Sequence, residues 1–414
     1  MGLSFKRRTA LFLHRQVWQR LPKKTRRSAI EAAADLLAPR TAASPQPGQT
    51  VAVAGLLNAS TGLGRSARLC EQALAKSGFA TARIDLTQAM MAADSQTVAS
   101  VASSIPEGPG TIIVHVNSPL LPLALLAIGR RRLKDKSVVG YWAWELPTAP
   151  PSWRRGVPYV HEIWVPSRFV AHSISPLTGS TPVLVVPHPV MVDEGDCRRA
   201  DQVRMENVFT VLVAFDMSSG FSRKNPLAAI AAFRRAFGDD PRARLVIKAM
   251  RGETYPEGIR RVRAATDGHS NIVLDQRNLS RREFRALISA ADVLLSLHRS
   301  EGYGLILAEA MAAGTCVVAT DWSGNTDFLH ERNSVPIGYR LVAADDKQGE
   351  YHYPDMMWAD PNVDEAAAAL RALFEDRSRR EVLVEQARGD AERCMSVDAY
   401  MTALDKSSRL KRPS

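Results

Sequence analysis

Glu301 and Glu309 stand eight positions apart in the segment HRSEGYGLILAEAMAAG, residues 298–314. Carboxylates accept hydrogen bonds and repel phosphate, so this pair suits a partner rich in hydroxyls. Just after Glu301, Gly302 and Gly304 allow a tight turn and let a ligand approach main-chain N–H groups, those of Tyr303 and Gly304 among them. The alanine-rich stretch from Leu305 reads as a helix, and the unpaired N–H groups and positive dipole end of its first turn attract phosphate. A ligand with an anionic part and a polyhydroxyl part answers both demands. A nucleotide sugar is the simplest such compound.

The elements around this joint must place it at the rim of a sheet. Residues 291–297 read as a buried strand and residues 315–320 as another, so the joint follows a strand at its carboxyl end, where parallel sheets bind ligands. Further strands are expected at residues 208–215, 243–249 and 271–274, with helices at 226–237, 280–289 and 366–394. An earlier set of strands is expected at residues 50–57, 111–116, 137–142, 162–165 and 182–186, with a helix at 66–76. Alternation of this kind predicts an α/β protein with two doubly wound, Rossmann-like domains facing a central cleft. The expected division is a basic segment and linker at 1–49, a first domain at 50–190, a second at 205–390, and a closing helix and tail at 391–414.

Other chemistry-bearing residues fall at strand ends of the same scheme. Arg223 and Lys224 follow the first strand of the second domain, just ahead of Pro226 in a favourable first-turn position. Cations there would stabilise the charge that builds on a departing diphosphate. Lys248, at the end of the next strand, is a second candidate for the same anion. Gly62 and Gly64, in the turn after residues 50–57, would let backbone approach the donor or the acceptor. His115 and Asn117 end the strand at 111–116, and Trp144 and Glu145 follow the one at 137–142; an aromatic beside a carboxylate suits sugar faces and hydroxyls, as it also suits core packing. Asn325 lies in the turn Ser323-Gly324-Asn325 after residues 315–320.

Together these features resemble the retaining GT-B glycosyltransferases of family 4, whose signature is E-x7-E opening on E-G-[FY]-G. The resemblance covers most of residues 50–390. It implies a hexosyltransferase with the donor on the second domain and the acceptor on the first. Glu301 would face the transferred sugar, Glu309 the ribose, and Arg223, Lys224 and Lys248 the diphosphate. Gly302, Tyr303, Gly304, Gly62, Gly64 and Asn325 would line the donor. His115, Asn117, Trp144 and Glu145 would line the acceptor side. The R-K-N-P form of the basic motif and the W-E-L-P segment resemble enzymes of polysaccharide and lipopolysaccharide assembly. That implies mannose, rhamnose or fucose from GDP or dTDP donors and a glycan or lipid-linked glycan as acceptor. The commoner spacing puts an Arg several residues before the Lys, where this chain has Phe215, so either Arg223 or Lys224 is left to contact the diphosphate.

Composition narrows the alternatives. The chain has 414 residues, 45% hydrophobic and 23% charged, which are soluble-protein values, and no apolar run long enough to span a membrane. Cys70, Cys197, Cys316 and Cys394 are scattered without zinc spacing, as reduced thiols in a cytoplasmic protein are, and no D-x-D motif calls for a metal or other cofactor. Of the net charge of +11, much comes from residues 1–40, where ten Lys and Arg face only Glu31 and Asp35. Ala10, Leu13, Val17 and Leu21 share a helical face there, which reads either as a solvated basic arm or as a surface for an anionic membrane at the inner leaflet. No nucleic-acid motif accompanies the charge. A nicotinamide oxidoreductase is the chief rival, although the third glycine of G-x-G-x-x-G is replaced by Ala67. A non-catalytic sugar-nucleotide-binding protein on the same fold is the other.

Overall fold

In the computed structural model, which describes residues 32–43, 45, 48, 50–91, 107–191, 207–351 and 353–412, two six-stranded parallel sheets present their carboxyl ends to each other. The first is built from β1 (Thr50–Gly55), β2 (Ala80–Asp85), β3 (Gly110–His115), β4 (Lys136–Tyr141), β5 (Glu162–Val165) and β6 (Val183–Val185), in the order β2-β1-β3-β4-β5-β6. The second comprises β7 (Phe209–Asp216), β8 (Ala243–Met250), β9 (Ile272–Asp275), β10 (Val293–Ser296), β11 (Cys316–Thr320) and β12 (Val335–Ile337), in the order β12-β11-β10-β7-β8-β9. Strands β3, β4 and β5 are buried along their whole length, as strands covered by helices on both faces must be.

Each order reverses direction once, between β1 and β3 in the first sheet and between β7 and β10 in the second. Loops leaving two strands in opposite directions open a crevice at such a point. The loops after β1 and β3 carry Gly62, Gly64 and Asn117; those after β7 and β10 carry Arg223, Lys224 and Glu301. Topology alone therefore gathers the candidate residues at two opposed crevices.

Where structure and sequence pattern differ, the causes are local. The helix Gly62–Lys76 starts inside the expected glycine turn, because the Thr61 side chain accepts a hydrogen bond from the Gly64 N–H and caps it. The expected long closing helix is two helices, Val363–Glu375 and Arg377–Met395, separated by Asp376, whose side chain caps the second by accepting from the Arg379 N–H. A further helix, Val397–Leu404, returns to the first sheet, where Tyr400, Met401 and Leu404 pack with Val51, Ile113 and Trp164. Edge strand β2 and the antiparallel hairpin β13 (Tyr339–Ala343) with β14 (Met357–Pro361) lack a continuous apolar run. The hairpin nevertheless buries Trp358 and, through the loop between its strands, Ala344 and Tyr351 in the core of the first domain beside Trp142, Trp144 and Trp153. Among the described residues no helix is long and apolar enough to cross a membrane. The basic amphipathic stretch before residue 32 lies outside the described residues.

Candidate active site

The loop after β7 is shaped by three backbone decisions. Asp216 accepts from the Ser218 N–H and closes a short turn, Gly220 takes φ +84°, and Asn225 adopts the left-handed conformation at φ 49°. Between the last two a single helical turn, Phe221–Lys224, aims its basic residues inward. The Asn225 amide donates to the Leu297 carbonyl at 3.0 Å, clamping this loop to the end of β10. Residues far apart in the chain then meet: Arg223 Nη1 lies 3.2 Å from Glu301 Oε2, and Lys224 Nζ is ion-paired to Glu301 Oε1.

The electrostatics assign different work to the two cations. Burial alone would raise the Glu301 pKa, but Lys224 and then Arg223 override it and hold the carboxyl at about 2, so it is ionised at every physiological pH. Arg223 is only 3% exposed and donates to the Ser300 carbonyl at 2.8 Å and the Ser219 carbonyl at 2.7 Å, with its guanidinium 5.3 Å from the centre of the Tyr351 ring. Lys224 is 18% exposed, and burial pushes its ammonium below the usual lysine range while Glu301 opposes that. Arg223 is thus built into the loop junction, whereas Lys224 retains a face toward the cleft.

The turn after β11 fixes the backbone of Glu301. The Glu301 N–H donates to Ser323 Oγ at 2.8 Å and the Gly324 N–H to the Glu301 carbonyl at 2.8 Å. A Cβ on Gly324 would stand 2.2 Å from the Gly302 carbonyl oxygen, so no other residue fits without moving backbone. Ser323 itself holds φ +80°, a conformation that costs a non-glycine residue of order 1–3 kcal/mol and survives only where the surroundings enforce it. Gly302 packs under the Trp144 carbonyl of the first domain, and Ser167 Oγ donates to the Gly302 carbonyl at 2.7 Å. Gly304, at φ +92°, starts the helix Leu305–Ala313 that carries Glu309.

Glu309 is buried and reached from across the cleft by Arg65, with which it is ion-paired. Burial raises its pKa; Arg65, Arg285 and Arg281 pull it back down. Glu145 is the first-domain residue that closes on the Glu301 cluster. Burial raises its pKa, Arg223 lowers it, neighbouring Glu301 raises it, and Tyr351 is hydrogen-bonded to it. Glu145 of the first domain and Glu301, Arg223 and Lys224 of the second therefore form one wall where the domains meet.

Several expected site residues stand behind that wall. Lys248 is 1% exposed, and its ammonium reaches Asp275 Oδ1 at 3.3 Å and the Arg277 carbonyl, so it ties β8 to the end of β9. Asn325 is equally buried, donating to the Thr320 carbonyl at 2.9 Å with its Oδ1 3.0 Å from His298 Nε2. The Tyr303 ring packs edge-on against His188, with 4.9 Å between ring centres. On the first domain, His115 is fully buried, bonded through Nδ1 to Ser66 Oγ at 2.8 Å and stacked 4.6 Å from Tyr141; burial drives its pKa well below the usual histidine value. Asn117 accepts from the Ala143 N–H at 2.9 Å and so positions the segment that carries Glu145. Trp144 donates to the Thr148 carbonyl and packs against Trp153 and Tyr351. Gly64 is required by the turn, since a Cβ would strike the Leu56 carbonyl at 2.4 Å, while the corresponding point at Gly62 faces open space. Arg65, Ser323 and Tyr351 are additions that sequence reasoning missed. Arg65 adjoins the glycine turn and carried a readable signal; Tyr351, deep in a hairpin loop, carried none.

The comparisons agree with this architecture. The model of the family 4 glycosyltransferases in conflict systems matches residues 168–402, more than half of the chain. No curated protein matches by sequence. Among solved structures, HepE of Anabaena in complex with UDP and glucose is similar, with 11% identity, a TM-score of 0.59, and 86% of this chain covering 98% of that one. Sucrose-phosphate synthase from Thermosynechococcus elongatus has 14% identity and a TM-score of 0.62, with 86% and 97% covered. A glycosyltransferase from Rickettsia africae has 13% identity and a TM-score of 0.60, with 86% and 99% covered. At these identities the likeness shows the fold, which is GT-B. With that fold, the paired crevices and the match over its second domain, the chain belongs to the family 4 glycosyltransferases in conflict systems and is a glycosyltransferase.

Proposed function

We propose that the protein is a retaining transferase that moves a hexose or deoxyhexose, of the mannose, rhamnose or fucose kind, from a nucleotide-diphosphate sugar to a glycan or lipid-linked glycan in bacterial surface polysaccharide synthesis. The observation that carries this reading is the Glu301 carboxylate held ionised between Arg223 and Lys224 at the switch point of the second sheet. In the reaction the bond from the anomeric carbon to the diphosphate oxygen breaks, the acceptor oxygen bonds to that carbon on the same face, and the acceptor proton passes to the departing phosphate. Lys224 and the amino end of the Leu305–Ala313 helix stabilise the leaving charge, Glu301 orients sugar hydroxyls, and Glu309 takes the ribose. Enclosure by Glu145, Trp144 and Tyr351 excludes water that would otherwise hydrolyse the donor.

HepE, similar in fold, was solved with UDP and glucose, so a uridine donor stands beside the guanosine and thymidine donors implied for mannose, rhamnose and fucose. Thermal melting of the full chain against a panel of UDP-, GDP- and dTDP-sugars tests this, since a ligand bound only by the native state raises the midpoint with its concentration. One donor series is expected to raise it by several degrees at saturating concentration. A panel without any shift would remove the nucleotide-sugar reading.

The acceptor is proposed to be met at an anionic membrane surface on its cytoplasmic side, through residues 1–40. Within the described part of that segment Asp35 is bonded to Arg155, while Leu36 and Leu37 are 84% and 63% exposed. Deleting residues 1–40 is expected to release the protein from vesicles containing anionic lipid without loss of donor hydrolysis. Unchanged vesicle binding by the deletion would sink the membrane assignment.

A further inference from the structure

Arg65 sits in the first turn of the Gly62–Lys76 helix, on the first domain, and its ion pair with Glu309 spans the cleft. The guanidinium keeps 19% of its surface exposed and the carboxylate 9%. Glu309 also lies in the field of Arg281 and Arg285, from the helix Arg281–Ala290. Arg281 is itself pushed below its ordinary value by burial, then by Arg65 and Arg285. Glu309 is thus ion-paired with one guanidinium and lies in the field of two more. Like charges acting on one half-buried site repel unless an anion or solvent balances them.

We propose that Arg65 recognises the diphosphate of the donor and that its ion pair with Glu309 is the state it leaves when the nucleotide arrives. The inference rests on the reading of Glu309 as the ribose ligand. Under that reading the ribose hydroxyls compete with Arg65 for the same carboxylate, so donor binding must displace the guanidinium or make it share. A displaced Arg65 remains tethered three positions after Gly62, whose Cβ position faces open space at the amino end of the same helix. An arginine fork there can bind two phosphate oxygens at once, and helix-end N–H groups favour the same charge. The exchange conserves pairing: Glu309 passes from a cation to two hydroxyls, and Arg65 passes from a carboxylate to a phosphate. A nucleoside without phosphate supplies only the first half. Arg65 therefore makes the cleft distinguish a nucleoside diphosphate from a nucleoside, and it draws the first domain onto a ligand held by the second.

Calorimetric titration of the full chain with UDP, UMP and uridine tests this, for the wild type, Arg65→Ala and Arg65→Lys, with the guanosine series run alongside. Loss of a charge-assisted bond predicts UDP binding weakened about ten- to a hundredfold in Arg65→Ala, with Arg65→Lys in between. Uridine binding should be unchanged or tighter, because the competitor for Glu309 is gone. An equal loss for uridine and UDP would make Arg65 a mere support for Glu309 and overturn the proposal, as would unaltered UDP binding. Wild-type protein that binds neither series would instead strike the nucleotide-sugar reading itself, and this inference with it. Melting curves of the two variants separate these outcomes from misfolding.

Discussion

Lys224→Ala should lower turnover about 10²- to 10³-fold while leaving the protein folded. The expectation follows from the division of labour between adjacent cations. Lys224 has 18% of its side chain exposed and, among the described residues, is ion-paired to Glu301. Removing it leaves Glu301 still paired with Arg223 at 3.2 Å, so no charge is stranded in the interior. What disappears is a positive charge placed where the departing diphosphate gathers its negative one. The loss should fall on kcat more than on KM, because that charge grows along the reaction, and added salt should not restore it. Steady-state kinetics with the donor found by the melting panel would check this. Full activity in a folded Lys224→Ala protein would remove Lys224 from the chemistry.

Arg223→Met should act in the opposite way, costing about 3–5 kcal/mol of stability before any question of catalysis arises. Its guanidinium holds the Ser300 and Ser219 carbonyls and one oxygen of Glu301, and it is 3% exposed. A thioether of similar length fills the space but leaves two buried acceptors and part of a buried charge without a donor. The pH dependence of that cost carries the sharper test. Glu301 has its folded pKa lowered from 4.5 to about 2, so its contribution to stability is fully present above about 4.5 and is lost as pH falls through 2. Taking away one of the two cations raises the folded value and shrinks that contribution. The penalty of Arg223→Met should therefore be largest near neutrality and diminish between about pH 4.5 and 2 in thermal melts. A penalty of constant size across that range would show that the arginine acts by packing alone.

The parts of this site that sequence made legible are those written in strand-end grammar. Glu301 with its two glycines, the Arg223-Lys224 pair before Pro226 and the glycine turn in which the Gly62–Lys76 helix starts each lie in the segment that follows a strand. Parallel topology then sends every such loop to the same rim, so their meeting could be expected without coordinates. Depth below that rim is not written in the same way. Lys248 looks like Lys224 in sequence, yet it lies within β8 beside β9, where an aspartate and a carbonyl claim it. Asn325 and His298 look like a turn residue and a strand-end histidine, and become a bonded pair beneath the turn. Tyr351 escaped notice for a different reason. The hairpin around it pairs an almost wholly exposed strand, β13, with a largely buried one, β14, and no period of apolar residues announces that.

The return of the Val397–Leu404 helix to the first sheet has a mechanical consequence. Two of the chain's passages between the domains, the one leaving β6 and the one between Met395 and Val397, are joined where the Val190 N–H donates to the Met395 carbonyl at 2.8 Å. A single flexible thread would let one half swivel freely over the other. A pair of adjacent threads acts as a door hinge with two pins: it permits swinging about the line through both and resists sliding or twisting. A swing about that line would return Glu145 to the same place over Glu301 each time the cleft closes.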